Sequence, residues 1–311
     1  MITVDNLTKY YGDKLAISNL KFELKKGEIV GLLGLNGSGK TTTIRILTGF
    51  LIPTEGSVSI DGINNFSEPI EAKKKIGYLP ETPPLYEDMD IESYLTYVAK
   101  IKGIDDSKIE SELKRVMEKT SVTDVSQKLI AHLSLGYRKR VGIAQALLGN
   151  PPVIIMDEPI SGLDPKQILE MRNMITGLKG EHTVLVSSHI LSEVYKTCDR
   201  FLFIHEGKLL YNYSRVELDK ELTKYSNLEI SIKGKTKEDT IQFLKQIDPN
   251  VEIINIEEEL LSLALHFTLK PSDQDSFRET LYSTVKQNGL VLQYFKNQDL
   301  TLEQIFLTTL R

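Results

Sequence analysis

Gly34-Leu35-Asn36-Gly37-Ser38-Gly39-Lys40-Thr41 matches the phosphate-loop pattern G-x-x-x-x-G-K-[ST], and its reading decides the fold. The glycines let the backbone turn tightly, so that successive N–H groups converge on phosphate oxygens. Ile29 to Leu33 before it reads as a buried strand. Lys40 to Leu51 after it reads as a helix with Ile44, Leu47 and Leu51 on one face. Such a helix presents its positive N-terminus to the same anion. In that setting Lys40 is expected to reach the β- and γ-phosphates and the Thr41 hydroxyl to ligate Mg²⁺. The loop alone specifies a nucleoside triphosphatase and nothing narrower.

A second signal lies further along. Val153-Ile154-Ile155-Met156-Asp157-Glu158-Pro159 is an apolar strand that ends in two acids. In an open α/β sheet, ligands bind outside the carboxyl ends of the strands. Asp157 is therefore placed to hold Mg²⁺, and Glu158 to polarise an attacking water as general base. Val184 to Ser187 is another continuous apolar run, as expected of a strand covered on both faces. Asp164-Pro165 opens a helix with Asp as N-cap and Pro at its first position, striped by Ile168, Met171, Ile175 and Leu178.

Around this centre the pattern changes three times. Residues 1–30 and 56–61 read as antiparallel strands with a turn at Asp61-Gly62. Between about Leu85 and Leu133 the strand signal gives way to amphipathic stripes, Ile91-Tyr94-Leu95-Val98 and Ile109-Leu113-Val116-Met117. After about Arg215 the order is strand (228–232), helix (239–247), two strands (251–256 and 261–269), helix (272–287) and strand (290–295). That βαββαβ order predicts a ferredoxin-like unit, followed by a helix from Thr301 to Leu310. The expected division is a nucleotide-binding domain at 1–214, with a helical subdomain at about 85–148, and an accessory α+β domain at 215–311.

Composition narrows the field. The chain has 311 residues, 41% of them hydrophobic and 26% charged, with a formal net charge of −5. Bulk positive charge is not what it offers a partner, so no nucleic acid is expected. No apolar run approaches the roughly 18 residues needed to span a bilayer, and Met1 to Asp5 does not open a signal peptide. The single cysteine, Cys198, reads as a small core residue. The basic trio Arg138-Lys139-Arg140 reads as the solvated start of a helix, and Glu257-Glu258-Glu259 as a solvated turn. His266, in an apolar strand, reads as core or strand edge.

Taken in order over about residues 1–210, these motifs closely resemble the ABC ATPase family. Leu133-Ser134-Leu135-Gly136, followed by the helix Tyr137 to Leu148, resembles its signature motif. Ser161-Gly162-Leu163-Asp164 resembles its D-loop and Ser188-His189 its switch histidine. Tyr11 stands before Gly12, where the family stacks an aromatic on adenine. The resemblance implies an α/β P-loop ABC ATPase fold: a mixed sheet with an N-terminal antiparallel β-subdomain and an inserted helical subdomain. It implies ATP and Mg²⁺ as ligands and a second copy bound head-to-tail.

In that arrangement Tyr11, Gly34, Asn36, Gly37, Ser38, Gly39, Lys40, Thr41 and Thr42 of one copy hold the nucleotide. Ser134 and Gly136 of the other close it, at the N-terminus of a helix whose dipole points at the γ-phosphate. Asp164 reports across the interface, and His189 contacts the γ-phosphate beside Glu158 and Lys40. The metal set is Thr41, Asp157 and Glu81. Three positions depart from the family: Glu81 stands where it usually has glutamine, and Leu135 and Tyr137 where it has glycine and glutamine. A carboxylate can still ligate Mg²⁺, with added negative charge near the γ-phosphate.

Tyr78-Leu79-Pro80-Glu81, the run Gly136-Tyr137-Arg138-Lys139-Arg140 and the terminal Leu302-Glu303-Gln304-Ile305-Phe306 resemble ATPase subunits of ABC-2-type exporters. That implies a separate integral-membrane permease, received by a groove along about Glu81 to Val98, and a place on the inner face of the cell membrane. A soluble ABC ATPase acting on ribosomes or DNA remains the alternative. Against it, the chain holds one phosphate loop and one signature, with no sustained heptads over residues 41–132.

Overall fold

The structure is a computed structural model, and it describes residues 1–225, 227–259 and 264–298. The chain divides into two compact units between Arg215 and Val216.

The first unit opens with long antiparallel strands, β1 (Ile2–Tyr11) and β2 (Lys14–Leu24). β3 (Ile29–Leu33) is buried at every position and leads through the glycine-rich loop into α1 (Lys40–Leu47). α1 stops short of Leu51 for visible reasons. The Thr48 hydroxyl bonds back to the Ile44 carbonyl at 2.8 Å, the Asn65 amide takes the Ile46 and Leu47 carbonyls at 3.0 Å, and Gly49 turns at φ +71°. Leu51 nevertheless packs on the same core.

β4 (Glu55–Ile60) and β5 (Ile63–Asn64) complete a four-stranded antiparallel sheet in the order β2-β1-β4-β5. α2 (Pro69–Lys74) leads to β6 (Ile76–Leu79). The helical insertion follows as α3 (Ile91–Ile101), α4 (Asp106–Thr120) and α5 (Leu135–Leu147). α3 and α4 bury the predicted Ile91-Tyr94-Leu95 and Ile109-Leu113-Val116-Met117 stripes. α5 is buried on several sides and packs on α3, α4 and β6. It lies so close that a Cβ at Gly142 would stand 2.5 Å from a Leu79 methyl and 3.1 Å from the Pro83 ring.

Then come β7 (Val153–Asp157), α6 (Pro165–Thr176), β8 (Thr183–Ser188), α7 (Leu191–Thr197), β9 (Arg200–His205) and β10 (Lys208–Ser214). The six-stranded sheet runs β10-β9-β3-β8-β7-β6 and is parallel except at β10. Its strands β3, β7 and β8 are buried throughout, which is why they read as unbroken apolar runs. One core joins this sheet, α1 and the antiparallel sheet through Ile2, Leu20, Leu32, Ile44, Val58 and Ile155, all fully buried. Each such side chain contributes about 1.5–3 kcal/mol by leaving water. Cys198 is fully buried at the C-cap of α7, and burial raises its thiol well above the usual range.

α8 (Arg215–Tyr225), absent from the sequence reading, carries the chain on. In the second unit β11 (Asn227–Lys233), α9 (Lys237–Ile247), β12 (Glu252–Glu259), β13 (Ala264–Lys270), α10 (Gln274–Thr284) and β14 (Val291–Gln298) follow. The antiparallel order β12-β13-β11-β14 is that of a ferredoxin-like unit. Leu228, Ile230, Phe267, Leu269, Phe243, Leu244 and Leu281 form its core. The Glu257-Glu258-Glu259 run is not a turn. It pairs with Ala264 to His266 in the edge strand β12, where repeated charge protects an open edge. His266 is half-buried, 3.1 Å from the Tyr294 hydroxyl. The expected terminal helix and the Leu302-Glu303-Gln304-Ile305-Phe306 segment lie outside the described residues.

Candidate nucleotide site

The phosphate loop is held by geometry that glycine alone supplies at two points. Gly39 precedes α1 at φ +110°, and a Cβ at Gly34 would stand 2.3 Å from the Ile204 carbonyl. The N-terminus of α1 receives no side-chain cap, so its free N–H groups are available to an anion. Lys40 is buried, and its ammonium donates to the Gly34 carbonyl at 2.8 Å and the Leu35 carbonyl at 3.3 Å. Burial lowers its proton affinity, against the pull of Glu158, Asp157 and Glu81. The buried Ser38 hydroxyl has no partner among the described residues. An uncapped helix, a curled lysine and an orphaned hydroxyl together fit a phosphate chain.

These residues open onto a cleft of about 720 Å³. It gathers Tyr11, Asn36, Gly37, Gly39, Lys40, Thr41, Thr42, Glu81, Glu158 and His189. Its far wall comes from residues the sequence did not single out: Lys14, Leu15 and Ala16 at the start of β2, and Glu206-Gly207. Gly207 fixes that wall to the loop, since its N–H donates to the Ser38 carbonyl and its carbonyl accepts from the Ser18 N–H. Tyr11 is exposed at the end of β1, with the Lys9 ammonium 5.7 Å from its ring centre.

The end of β7 delivers the two acids, of which Glu158 lines the cleft and Asp157 does not. Asp157 accepts a 2.5 Å hydrogen bond from the Ser187 hydroxyl, which itself accepts from the Glu158 N–H at 3.0 Å. Ser187 thus ties both acids to the neighbouring strand β8. Burial raises the Asp157 carboxyl; the Ser187 bond opposes this and the Glu81 charge adds to it. Glu158 is buried, yet its carboxylate reaches Nδ1 of His189 at 2.9 Å, and His189 itself is exposed.

The backbone at Glu158 is left-handed, φ +48°. Such a conformation costs a non-glycine residue about 1–3 kcal/mol and is kept only where surroundings impose it. Asn and Asp supply most of the other non-glycine positions with positive φ. The two glutamates among them, Glu158 and Glu206, both line this cleft.

The basic trio does not behave as one solvated face. Lys139 is 2% exposed, and its ammonium donates to the Glu158 carbonyl at 2.6 Å. Burial depresses its proton affinity, while Glu81, Glu158 and Asp157 raise it. Arg138 and Arg140 do stay near solvent, paired with Glu87 and Glu170. Consecutive helix positions point about 100° apart, so one lysine can turn inward between two outward arginines.

Ser134, Gly136 and Asp164 are not part of the cleft. Ser134 and Asp164 are exposed N-caps of α5 and α6. Their two segments meet, since a Cβ at Gly136 would touch the Gln167 side chain and one at Gly162 the Leu135 methyl. The α5 N-terminus, capped by Ser134, therefore contributes nothing to the lining of its own subunit's cleft.

The donor set Thr41, Asp157 and Glu81, all oxygen, suits a hard cation such as Mg²⁺. Glu81 is exposed, at the mouth of the cleft. Replacing it by glutamine removes a charge that raises the Asp157 carboxyl. Asp157 then stays ionised to lower pH, and the acid limb of ATPase activity moves down. A pH–rate profile with a Mg²⁺ titration checks this; identical profiles for Glu81→Gln and wild type would show that Glu81 does not act on the site.

The ABC transporter family profile matches residues 17–161. The chain is 40% identical over 237 residues to the bacitracin transport ATP-binding protein of Bacillus licheniformis, covering 76% of each chain. It is 35% identical to a lantibiotic transport ATP-binding protein of Streptococcus pyogenes, covering 74% of this chain and 94% of that one. Among solved structures, an ABC transporter ATP-binding subunit superposes with a TM-score of 0.65 at 30% identity, over 72% of this chain and 93% of that one. A bacterial ABC transporter cassette in dimeric form gives 0.63 at 26% identity, over 69% and 99%. The post-hydrolysis state of such a cassette, holding ADP and phosphate, gives 0.62 at 25% identity, covering 69% of this chain and 99% of that one. The phosphate loop, the paired acids of β7 and these likenesses agree: the chain belongs to the ATP-binding subunits of ABC transporters, and it is an ATPase.

Proposed function

We propose that two copies close head-to-tail around ATP and drive export through a separate ABC-2-type permease on the inner face of the cell membrane. The observation that carries this reading is the separation of the Ser134–Gly136 helix end from the subunit's own cleft. The α5 N-terminus lies outside the lining of its own subunit's cleft, and a second copy in opposite orientation brings an anion to its dipole. Within each site Glu158 takes the proton of the attacking water, with His189 on its carboxylate. Lys40 and the α1 N-terminus stabilise the charge on the phosphates. Thr41, Asp157 and Glu81 would hold Mg²⁺, which when bound would add positive charge beside the phosphates.

A second cavity of about 750 Å³ supports the permease. Its walls come from three segments: Arg45 to Phe50, Lys73 to Pro84, and Lys102 with Gln145 and Ala146. Of the span expected to form the groove, about Glu81 to Val98, only Thr82 and Pro84 line it. Phe50, 72% exposed, stands at its edge against Tyr78 with ring centres 5.8 Å apart. Among the described residues no helix is long and apolar enough to cross a membrane; in this reading the pore is supplied by the separate permease. The relatives named for bacitracin and lantibiotic transport support a cargo of that kind.

The full chain, purified from solubilised membranes of its host, is expected to bring down a multi-helix membrane protein. Phe50→Asp is expected to weaken that association by about 1–3 kcal/mol, the scale of a central interface residue. Recovery of the chain with ribosomes and no membrane protein would favour the soluble alternative.

A further inference from the structure

We infer that Lys139 is a positioning residue for hydrolysis: it fixes the backbone of Glu158 to α5, so that the helix whose N-terminus meets the second copy also sets the catalytic carboxylate. This rests on Glu158 acting as the general base.

Three observations converge on it. The Lys139 ammonium, almost completely buried, donates to the Glu158 carbonyl at 2.6 Å. That carbonyl belongs to a glutamate held at φ +48°, which needs outside restraint to persist. The restraint is two-sided: β8 takes the Glu158 N–H through Ser187, and α5 takes its carbonyl through Lys139. The strand side is part of the rigid sheet. The helix side is the only one of the two that belongs to the inserted helical region, with Ser134 and Gly136 one turn before Lys139 on the same helix.

Displacement of α5 by a second copy docking on Ser134 and Gly136 therefore moves the Lys139 ammonium with it. The left-handed peptide of Glu158 feels that movement directly, while the phosphate loop does not. Charge reinforces the link, because Glu81, Glu158 and Asp157 are the carboxylates acting on Lys139. Glu81 sits on the segment against which Gly142 of the same helix is packed, two residues before Pro83. A lysine at this point holds the helix, the metal-side acid and the base in one arrangement.

Full-length Lys139→Met protein tests this, since methionine keeps the unbranched side chain up to Cε without the charge or the donor. Steady-state ATPase should fall about 10-fold in kcat, equal to about 1.4 kcal/mol of barrier, with KM and fluorescent-nucleotide affinity within about 2-fold of wild type. Deuterium exchange should rise over residues 157–162 and stay unchanged over the phosphate loop. Glu158→Gln is run beside it. If Glu158→Gln is inactive and Lys139→Met keeps wild-type kcat, the positioning role is overturned while the general-base reading stands. If Glu158→Gln stays active, the underlying reading is what fails. A parallel rise in KM, or loss of nucleotide binding, would make Lys139 a plain structural residue and overturn the inference. Should Lys139→Met melt below the assay temperature, Lys139→Leu, equally without a donor, is assayed below its melting point with the same expected and overturning outcomes.

Discussion

Glu158→Gln protein, saturated with ATP and Mg²⁺, is expected to bind nucleotide normally and to lose about 10³-fold in kcat, the middle of the range for removing a general base. The substitution exchanges one carboxylate oxygen for an amide and leaves the fold untouched. The groups that hold residue 158 in its left-handed conformation act on its main chain, through Ser187 and Lys139, and not on its carboxylate. What disappears is the proton acceptor and the charged partner of His189, now at 2.9 Å. With hydrolysis stopped, ATP remains between the two copies, and a nucleotide-dependent dimer should accumulate on size exclusion in the presence of the membrane subunit. A variant that still hydrolyses within about tenfold of wild type would remove Glu158 from the base role. One that stays monomeric at saturating ATP would remove the head-to-tail dimer.

The parts of this site that were legible in the sequence are those encoded locally. A phosphate loop is a run of eight residues whose function lies in its own backbone. The β7 acids were legible because a strand buried on both faces must be apolar, so two carboxylates at its end stand out. The ferredoxin-like order was readable from periods of two and of 3.6 in alternation. What stayed hidden depends on partners distant in the chain. Nothing in Arg138-Lys139-Arg140 reveals that the middle residue turns onto a carbonyl 19 positions away. Ser187 entered the reading only as the last residue of an apolar run, and its role appears only when β8 lies beside β7 and brings its hydroxyl between Asp157 and Glu158. The left-handed conformation at Glu158 has no local signal, since glutamate is not a residue that favours it. The three glutamates of β12 misled because pairing with β13, a tertiary event, outweighs the weak strand preference of glutamate.

Gly136→Asp separates the two halves of the composite site, because it strikes the signature end while sparing the cleft. The nearest atoms to the added Cβ are the far end of Gln167, 2.9–3.2 Å away, the tip of a flexible side chain. A carboxylate in the first turn of α5 also suits the helix macrodipole, worth about 0.3–1 kcal/mol in favour of the helix. The isolated subunit should therefore fold and bind ATP through its own phosphate loop as wild type does. The cost falls on the second copy. Its γ-phosphate now meets a negative charge where N–H groups and a positive helix end are required, and kcat should drop by about 10²-fold or more, as when a donor to the developing charge is removed. Lys40→Ala gives the opposite signature, with nucleotide affinity lost first, since Lys40 belongs to the loop that cradles the phosphates. The dimer decides between readings. Introduced into Glu158→Gln protein, Gly136→Asp should abolish the ATP-dependent association that the single variant shows. Association that survives the second substitution would mean that α5 does not face the nucleotide of another copy. Loss of ATP binding by the isolated Gly136→Asp subunit would place the α5 N-terminus in its own cleft instead.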